Sequence, residues 1–461
     1  MTLWELERKP LLRRTVWKRN GFLLSALALE GAILIFLGCL RIDIRGEGYQ
    51  ILGYGVTLEP FHWKTAVGVG VFVALQLGVG HYQFRKALDS AEMVSLYPQD
   101  KSGGHTFAGL KGANIVALVQ ETARILGVGR IARILLTRRP DPNAYTARVF
   151  GLGNIVVLHS NLLDILPRDG IRAVIAHEVG HIRRRDSLIR QLTILPRRFA
   201  WVIALLAFLK VAAGLLDADS VGLFLTRAVF FALAMTVTVR AFAVPARLAG
   251  LASQQCELIA DAAAAHACGW TNHVNTLLLI GERCEALERL SGALRKLAER
   301  LGEGLTEEQV LRILNRLPPR ELDDERAEEA APRLYIEEQL DFLREKLCVP
   351  LSRGQISHLA AQAVHRLKVK EAAESAPAPD GDGEPPEPPA AAPPLTDWRT
   401  FDTDVSGHLD AAETAALVAE LRKHPERMLF RTFHGPEPRW STHPTIRARI
   451  LFLDDLFAGP R

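Results

Sequence analysis

His177-Glu178-Val179-Gly180-His181 holds two imidazoles and a carboxylate at helical spacing. On an α-helix, positions i and i+4 lie one above the other on the same face. Both imidazoles can therefore bind one zinc ion with Glu178 as a base beside it, the side-chain set of metal-assisted peptide hydrolysis. The surrounding stretch, Ile171–Asp186, reads as a single helix. Upstream, Ile131–Thr137 and Ile155–His159 are apolar, β-branched runs bounded by turn residues and read as strands. Pro140-Asp141-Pro142-Asn143 marks a turn, and Ala144–Phe150 follows as a strand or edge segment. Ile115–Leu126 is an amphipathic helix.

Zinc hydrolases need a third protein ligand and a fourth position left open. Glu257 has the best downstream context, in Cys256-Glu257-Leu258-Ile259-Ala260-Asp261. Glu257 and Asp261 share a helix face, so one carboxylate can bind metal while the other accepts a hydrogen bond from a ligand histidine. Cys256 is rotated off that face by about 100°. The competing reading is that both acids solvate a helix surface.

Composition supports apolar runs separated by charged regions: 48% of the 461 residues are hydrophobic, yet 23% are charged. The net charge of +4 gives no reason to expect nucleic acid as a partner. The five cysteines are scattered without CxxC pairing and read as reduced thiols. Four segments reach the roughly 20 apolar residues, or the lower limit of about 17, that a membrane span needs: Phe22–Leu40, Thr65–Tyr82, Phe199–Leu216 and Val221–Val239. A buried hairpin of a soluble core is the alternative for the last two. Lys210 and Arg227 lie near the loop Asp217–Ser220, where their stems can snorkel toward Asp217 and Asp219. Glu30, inside the first span, needs a helix neighbour or a water-filled cavity. Basic residues cluster before the first and third spans, which puts both termini and the HEVGH helix in the cytoplasm. The first span is too long for a cleaved signal peptide and reads as an anchor.

Beyond the fourth span, Ala252–Ala267 resumes as an alanine-rich helix, and charge-dense helical sequence continues to about Lys370. Thr306-Glu307-Glu308-Gln309 is a capping-box start within it. Residues 371–397 form a Pro-rich linker that cannot pack a core. Order returns near Trp398, with helices at Ala411–Lys423 and Thr445–Leu456. Asp402-Thr403-Asp404-Val405-Ser406-Gly407-His408-Leu409-Asp410-Ala411-Ala412-Glu413 fits the spacing of an EF-hand loop. Asp402, Asp404, Ser406, Asp410 and Glu413 would offer oxygens to calcium. The segment before it leaves little room for an entering helix, and an Asp-rich turn capping the Ala411 helix fits the same residues.

Two spans, an HExxH helix, two more spans and an ExxxD helix resemble the HtpX-type membrane zinc metallopeptidases, relatives of the CAAX prenyl endopeptidases. Pro142-Asn143-Ala144-Tyr145 is similar to that family's PNAF strand, and Ile155–Leu166 to its strand and Leu-Leu helix. Asp186 also fits the pattern. Ser441-Thr442-His443-Pro444 with Arg449-Ile450 resembles its closing signature. The resemblance implies a gluzincin-like site with His177, His181 and Glu257 on zinc, Glu178 as general base and Asp261 orienting a ligand histidine. It implies that Asn143 sits on the strand holding an extended substrate. For His443 it suggests oxyanion stabilisation or substrate positioning, beside a helix-capping alternative. Gln254 and Cys256 stand where the family often has arginines.

The expected fold class is α+β, mainly α, with four transmembrane helices and a cytoplasmic zincin-like domain. Its expected parts are a basic arm (1–20), two spans with an outer loop (21–82), a first metalloprotease part (91–198) and a membrane hairpin (199–244). An ExxxD part (245–285), a helical insertion (286–370), the linker (371–397) and a C-terminal segment (398–461) follow. The expected function is zinc-dependent endopeptidase action on misfolded membrane proteins at a bacterial inner membrane. A catalytically idle membrane scaffold and a prenyl-peptide endopeptidase are the alternatives.

Overall fold

The computed structural model describes residues 2–43, 49–52, 54–58, 93–96, 106–107, 110–137, 139, 141–149, 153–300, 306–314, 324–347, 352–374, 395–430 and 443–458, with isolated residues between 67 and 86. Its centre is a sheet of four strands, β4 (Met93–Leu96), β7 (Arg133–Thr137), β8 (Ala144–Val149) and β9 (Gly153–His159), in the order β4-β7-β9-β8. The preceding strands are β1 (Leu40–Asp43), β2 (Tyr49–Ile51), β3 (Tyr54–Leu58), β5 (Thr106–Phe107) and β6 (Leu110–Lys111). In the central sheet β7 and β9 run parallel, while β8 pairs antiparallel with β9 and forms the edge.

Alternation along the strands sends Leu136, Val156 and Leu158 to one face and Leu135, Ile155 and Val157 to the other. The first face is covered by Ile115 and Val119 of α3 (Gly112–Ile125) and by Ile175 and Val179 of α5 (Arg168–Arg184). Between β9 and α5 lies the short α4 (Ser160–Ile165). Helix α5, which bears HEVGH, stops at Arg184 rather than continuing to Asp186. Arg185 adopts a left-handed conformation at φ +56°, and its N–H caps the carbonyls of His181 and Ile182. Asp186 then opens α6 (Asp186–Leu216), turned back beside the second histidine.

Helix α7 (Val221–Cys268) runs 48 residues, so it is about 72 Å long. Its first half is apolar and outward-facing, with Phe224, Val229 and Leu233 exposed; its second half, past Pro245, is buried against α5. Gly180 is what lets α5 and α7 approach. A Cβ there would lie 3.1 Å from Ala263 Cβ and 3.2 Å from Ala260 Cα. The alanine run of α7 and the glycine of HEVGH therefore form one tight helix crossing.

Among the described residues, two helices are long and apolar enough to cross a membrane by length and composition, Pro10–Leu37 and Val221–Cys268. The first lies in α2 (Pro10–Cys39), after the short α1 (Leu3–Arg8). Of the four expected spans, Thr65–Tyr82 is only partly within the described residues, and the third contributes the shorter apolar stretch Ala204–Leu216 within α6. Arg227 is buried; it donates to the carbonyls of Gly214 and Asp217 at 2.5 and 3.3 Å and covers the Tyr54 ring. It therefore reaches Asp217 through the backbone, where snorkelling toward its carboxylate was expected. Tyr54 itself donates to Val211 O at 2.6 Å, filling the space over Gly214. This tyrosine ties β3 to the end of α6.

Residues 2–20, the expected basic arm, are helical and packed. Leu6 and Leu12 are buried with Ile259, Ala262 and Phe452, and Glu7 pairs with Arg183 and Arg184 at 3.0 and 2.9 Å. Helix α8 (Trp270–Arg300) leads into α9 (Glu307–Leu314), α10 (Asp324–Leu347) and α11 (Arg353–Glu374). Leu290, Leu294, Ile313 and Tyr335 form a separate small core there. Thr306 and Gln309 exchange backbone-to-side-chain hydrogen bonds of 2.8 and 3.3 Å at the start of α9. Finally α12 (Ala411–Lys423) and α13 (Ile446–Phe457) dock Leu417, Leu421, Ile450 and Leu453 onto Val274 and Leu278 of α8.

Candidate metal centre

Helical spacing on α5 brings the two imidazoles together: His177 Nε2 and His181 Nε2 are 3.2 Å apart. From α7, the Glu257 carboxylate reaches both, with Oε2 3.4 Å from His177 Nε2 and Oε1 3.6 Å from His181 Nε2. These three side chains could hold a metal ion, since their ligand atoms all lie within 4.8 Å of one another. Two nitrogens and a carboxylate oxygen form the donor set that zinc takes in hydrolytic sites.

The far nitrogen of each ring is also engaged. His177 Nδ1 lies 3.0 Å from Asp261 Oδ1, and His181 Nδ1 lies 2.9 Å from Asp186 Oδ2. A carboxylate can only accept, so each Nδ1 carries the hydrogen and each Nε2 lone pair is left for a cation. Burial opposes protonation of His177, but hydrogen bonds with Asp261 and Glu257 outweigh it and push its pKa up to about 10. His181 is raised too, with burial again opposed by Asp186 and Glu257. The same carboxylates that favour a proton on these rings would favour a cation on Nε2 in its place.

Each supporting carboxylate has a guanidinium behind it. Arg449 of α13 donates from Nε to Asp261 Oδ2 at 2.7 Å and from Nη2 to Oδ1 at 2.6 Å. Arg19 of α2 donates from Nη1 to Asp186 Oδ1 at 3.1 Å. His273 of α8 adds a third donor to Asp261, Nε2 to Oδ1 at 2.9 Å, and burial lowers its pKa so that it stays neutral. Sequence reading assigned no role to Arg19, Arg449 or His273. Arg449 and Asp186 carried a signal, as part of the closing R-I pair and as an acid just after the second histidine; the other two carried none.

Glu178, His177 and His181 line a cleft of about 550 Å³, together with β8 residues Ala144, Tyr145, Thr146 and Ala147. Asn143 stands exposed at the start of that edge strand, and its carbonyl accepts from His159 N–H at 3.0 Å. His443 is exposed, with Nδ1 3.3 Å from Glu257 Oε2, so it borders the candidate metal centre. Ser441 and Thr442 lie outside the described residues. Cys284 also lines the cleft, and burial pushes its thiol up to about 12, which keeps it protonated and a poor nucleophile.

The acidic loop near residue 402 behaves as a helix cap. Asp410 accepts from Glu413 N at 2.8 Å while Glu413 Oε2 accepts from Asp410 N at 2.9 Å, a reciprocal capping box. Glu413 Oε1 also accepts from Thr403 N at 2.7 Å, and Asp402 accepts from the N–H groups of Ser406 and Gly407 at 3.0 and 2.7 Å. The oxygens of Asp402, Asp404 and Glu413 do lie near one another. Yet only a single 3-10 turn, Trp398–Phe401, precedes the loop among the described residues, where an EF-hand needs an entering helix. The backbone N–H groups of the turn and of α12 take these oxygens, as the capping alternative expects.

Residues 110–278 match the family model for Peptidase family M48. Over 164 residues the chain is 40% identical to a protease HtpX homolog of Pyrococcus abyssi, covering 35% of this chain and 48% of that one. Over 83 residues it is 37% identical to a protease HtpX homolog of Aeropyrum pernix, covering 18% of this chain and 26% of that one. A plastoglobule-localized metallopeptidase 48 of Arabidopsis thaliana is 32% identical over 71 residues, covering 15% of this chain and 20% of that one. The chain thus spans about half or less of the length of these relatives. No solved structure matches.

Proposed function

From the premise that residues 110–278 carry a peptidase domain of family M48, HtpX-like in type, we propose that this chain is a membrane-bound zinc endopeptidase. The observation that carries this reading is the meeting of His177 Nε2, His181 Nε2 and the Glu257 carboxylate at one point. Zinc held there supplies Lewis acidity and a nucleophile at neutral pH. Glu178, between the two histidines and on the cleft wall, takes the proton of the attacking water on its carboxylate and returns one to the leaving amine. Asp261 and Asp186 keep both imidazoles in the Nδ1–H form. An extended peptide can pair with the free edge of β8 beside Asn143, which makes recognition depend on backbone more than on side chains. His443 borders Glu257 at 3.3 Å and positions the substrate carbonyl from the opposite wall.

The peptidase domain in this reading has two parts, 91–198 and 245–285, separated by the membrane hairpin 199–244. The basic clusters before the first and third apolar stretches support a cytoplasmic active site, at a bacterial inner membrane. The names of the HtpX relatives support proteolysis, and the bilayer-side setting supports misfolded or damaged membrane proteins as substrates. Detergent-purified wild type and Glu178→Gln, assayed side by side with casein, test the reading. Cleavage by wild type at full zinc loading and its loss in the variant are expected. Equal cleavage in both, or none in zinc-loaded wild type, would favour a scaffold.

A further inference from the structure

Arg19 stands three residues before Phe22, where the apolar run of α2 begins. It is 8% exposed, and its partner Asp186 is 6% exposed. The guanidinium plane is fixed on two sides: Nε and Nη2 donate to Asn20 Oδ1 at 3.1 and 3.0 Å, and Nη1 donates to Asp186 Oδ1 at 3.1 Å. With Oδ1 held in this way, the carboxylate of Asp186 has Oδ2 left to accept from His181 Nδ1, 2.9 Å away. On the other side of the site, Arg449, Asp261 and His177 repeat the same order of guanidinium, carboxylate and imidazole. The two arginines come from opposite ends of the chain.

We propose that Arg19 is a positioning residue for the metal centre, acting through Asp186 to hold His181, and that it thereby fastens the site to the helix read as the first membrane span. The inference rests on the zinc peptidase reading. Besides the imidazole of His181, the Asp186 carboxylate meets the Cys256 thiol, a weak neutral donor; the charge-assisted bond from Arg19 is the stronger restraint on its rotation. Arg184 at the end of α5 pairs instead with Glu7 at 2.9 Å. Loss of an outer partner of a metal-ligating histidine costs about 10–100-fold in metal affinity or activity. A shift of α2 along its axis would move Arg19, then Asp186, then the ring of His181. The metal site is therefore anchored at the membrane end of α2 as well as within the sheet-and-helix core.

The test uses full-length protein in detergent: wild type, Arg19→Leu, Arg19→Lys, Asp186→Asn and the Arg19→Leu/Asp186→Asn pair. Arg19→Leu should lower kcat about 10–100-fold with little change in KM, and weaken zinc in competition with a chelator. The visible spectrum of the cobalt-substituted variant should shift, and Arg19→Lys should recover part of each loss. In the Asp186→Asn background, Arg19→Leu should add little, since both changes cut the same chain of contacts. Should Arg19→Leu fail to fold, Arg19→Lys and Asp186→Asn carry the comparison, both showing the cobalt shift. Wild-type kcat, chelator competition and cobalt spectrum in Arg19→Leu would overturn the proposal, as would losses that multiply independently in the pair. A wild type that neither holds zinc nor cleaves casein would overturn the peptidase reading itself, and this inference with it.

Discussion

Arg449 grips Asp261 with two parallel hydrogen bonds, 2.7 Å from Nε and 2.6 Å from Nη2, across 188 residues of sequence. Asp261 is fully buried, so its charge depends on this guanidinium. The contact makes the C-terminal helix α13 part of the candidate site, although the HEVGH and ExxxD helices lie far upstream. Arg449→Leu strands a buried carboxylate, a change that costs about 3–5 kcal/mol in comparable pairs. The expected result is a lower melting temperature together with loss of casein cleavage. Arg449→Lys keeps the charge but not the fork, and should recover stability better than activity. A Leu variant with wild-type melting and turnover would remove α13 from the site.

The Glu257 carboxylate lies within 3.6 Å of both Nε2 atoms, so Glu257→Ala should abolish tight zinc binding while the fold survives. The readout is zinc per protein after dialysis, with circular dichroism as the check on folding. Chelator treatment of wild type should give the same inactive state, and added zinc should reverse it. Retention of one zinc by Glu257→Ala would move the third ligand elsewhere, with His443 the first candidate at 3.3 Å from Glu257.

What the sequence made legible follows from local physics. Period 3.6 put His177 over His181 and Glu257 over Asp261, and the β-branched apolar run Ile155–His159, bounded by turn residues, marked a core strand that the structure extends from Gly153 to His159. Capping chemistry placed α12 at Ala411–Lys423 with both ends right. What stayed hidden is long-range or conformational. Nothing local requires a left-handed Arg185, because that conformation is rare outside glycine and is imposed here by the turn that returns Asp186 to His181. Arg19, His273 and Tyr54 find their partners only after α2, α8 and β3 pack, so no spacing rule names them. The acidic loop left two readings open in the sequence, since the same oxygens that suit calcium also suit the backbone N–H groups of a turn and a helix start.

Gly180 sets the distance between the helices that carry the ligands. A Cβ at this position would meet Ala263 and Ala260 at 3.1–3.2 Å, so the neighbours must yield. Gly180→Val should separate α5 from α7 and cost about 1–3 kcal/mol by overpacking. Because Glu257 is on α7 and both histidines are on α5, zinc affinity should fall along with the melting temperature. Gly180→Ala should show the same effects more weakly. Equal zinc affinity in wild type and the Val variant would mean that the crossing is not what sets the ligand distances.

Asp141 and His159 pin the lip of the cleft, with His159 Nδ1 3.1 Å from Asp141 Oδ2. Burial alone would raise the Asp141 pKa, but the hydrogen bond and charge of His159 win and hold it below the usual carboxylate range. A carboxylate whose folded pKa is depressed stabilises the fold above its unfolded value, about 3.9, and loses that contribution as pH falls through the lower folded value. Half-exposure keeps the effect modest. Asp141→Asn should therefore melt below wild type at pH 6, and the gap should begin to close at about pH 4 and vanish in stronger acid. Thermal melts of both proteins in detergent across that range give the measurement. A gap that stays constant from pH 6 into strong acid would show that Asp141 acts through its shape and neutral hydrogen bonding, and not through its charge.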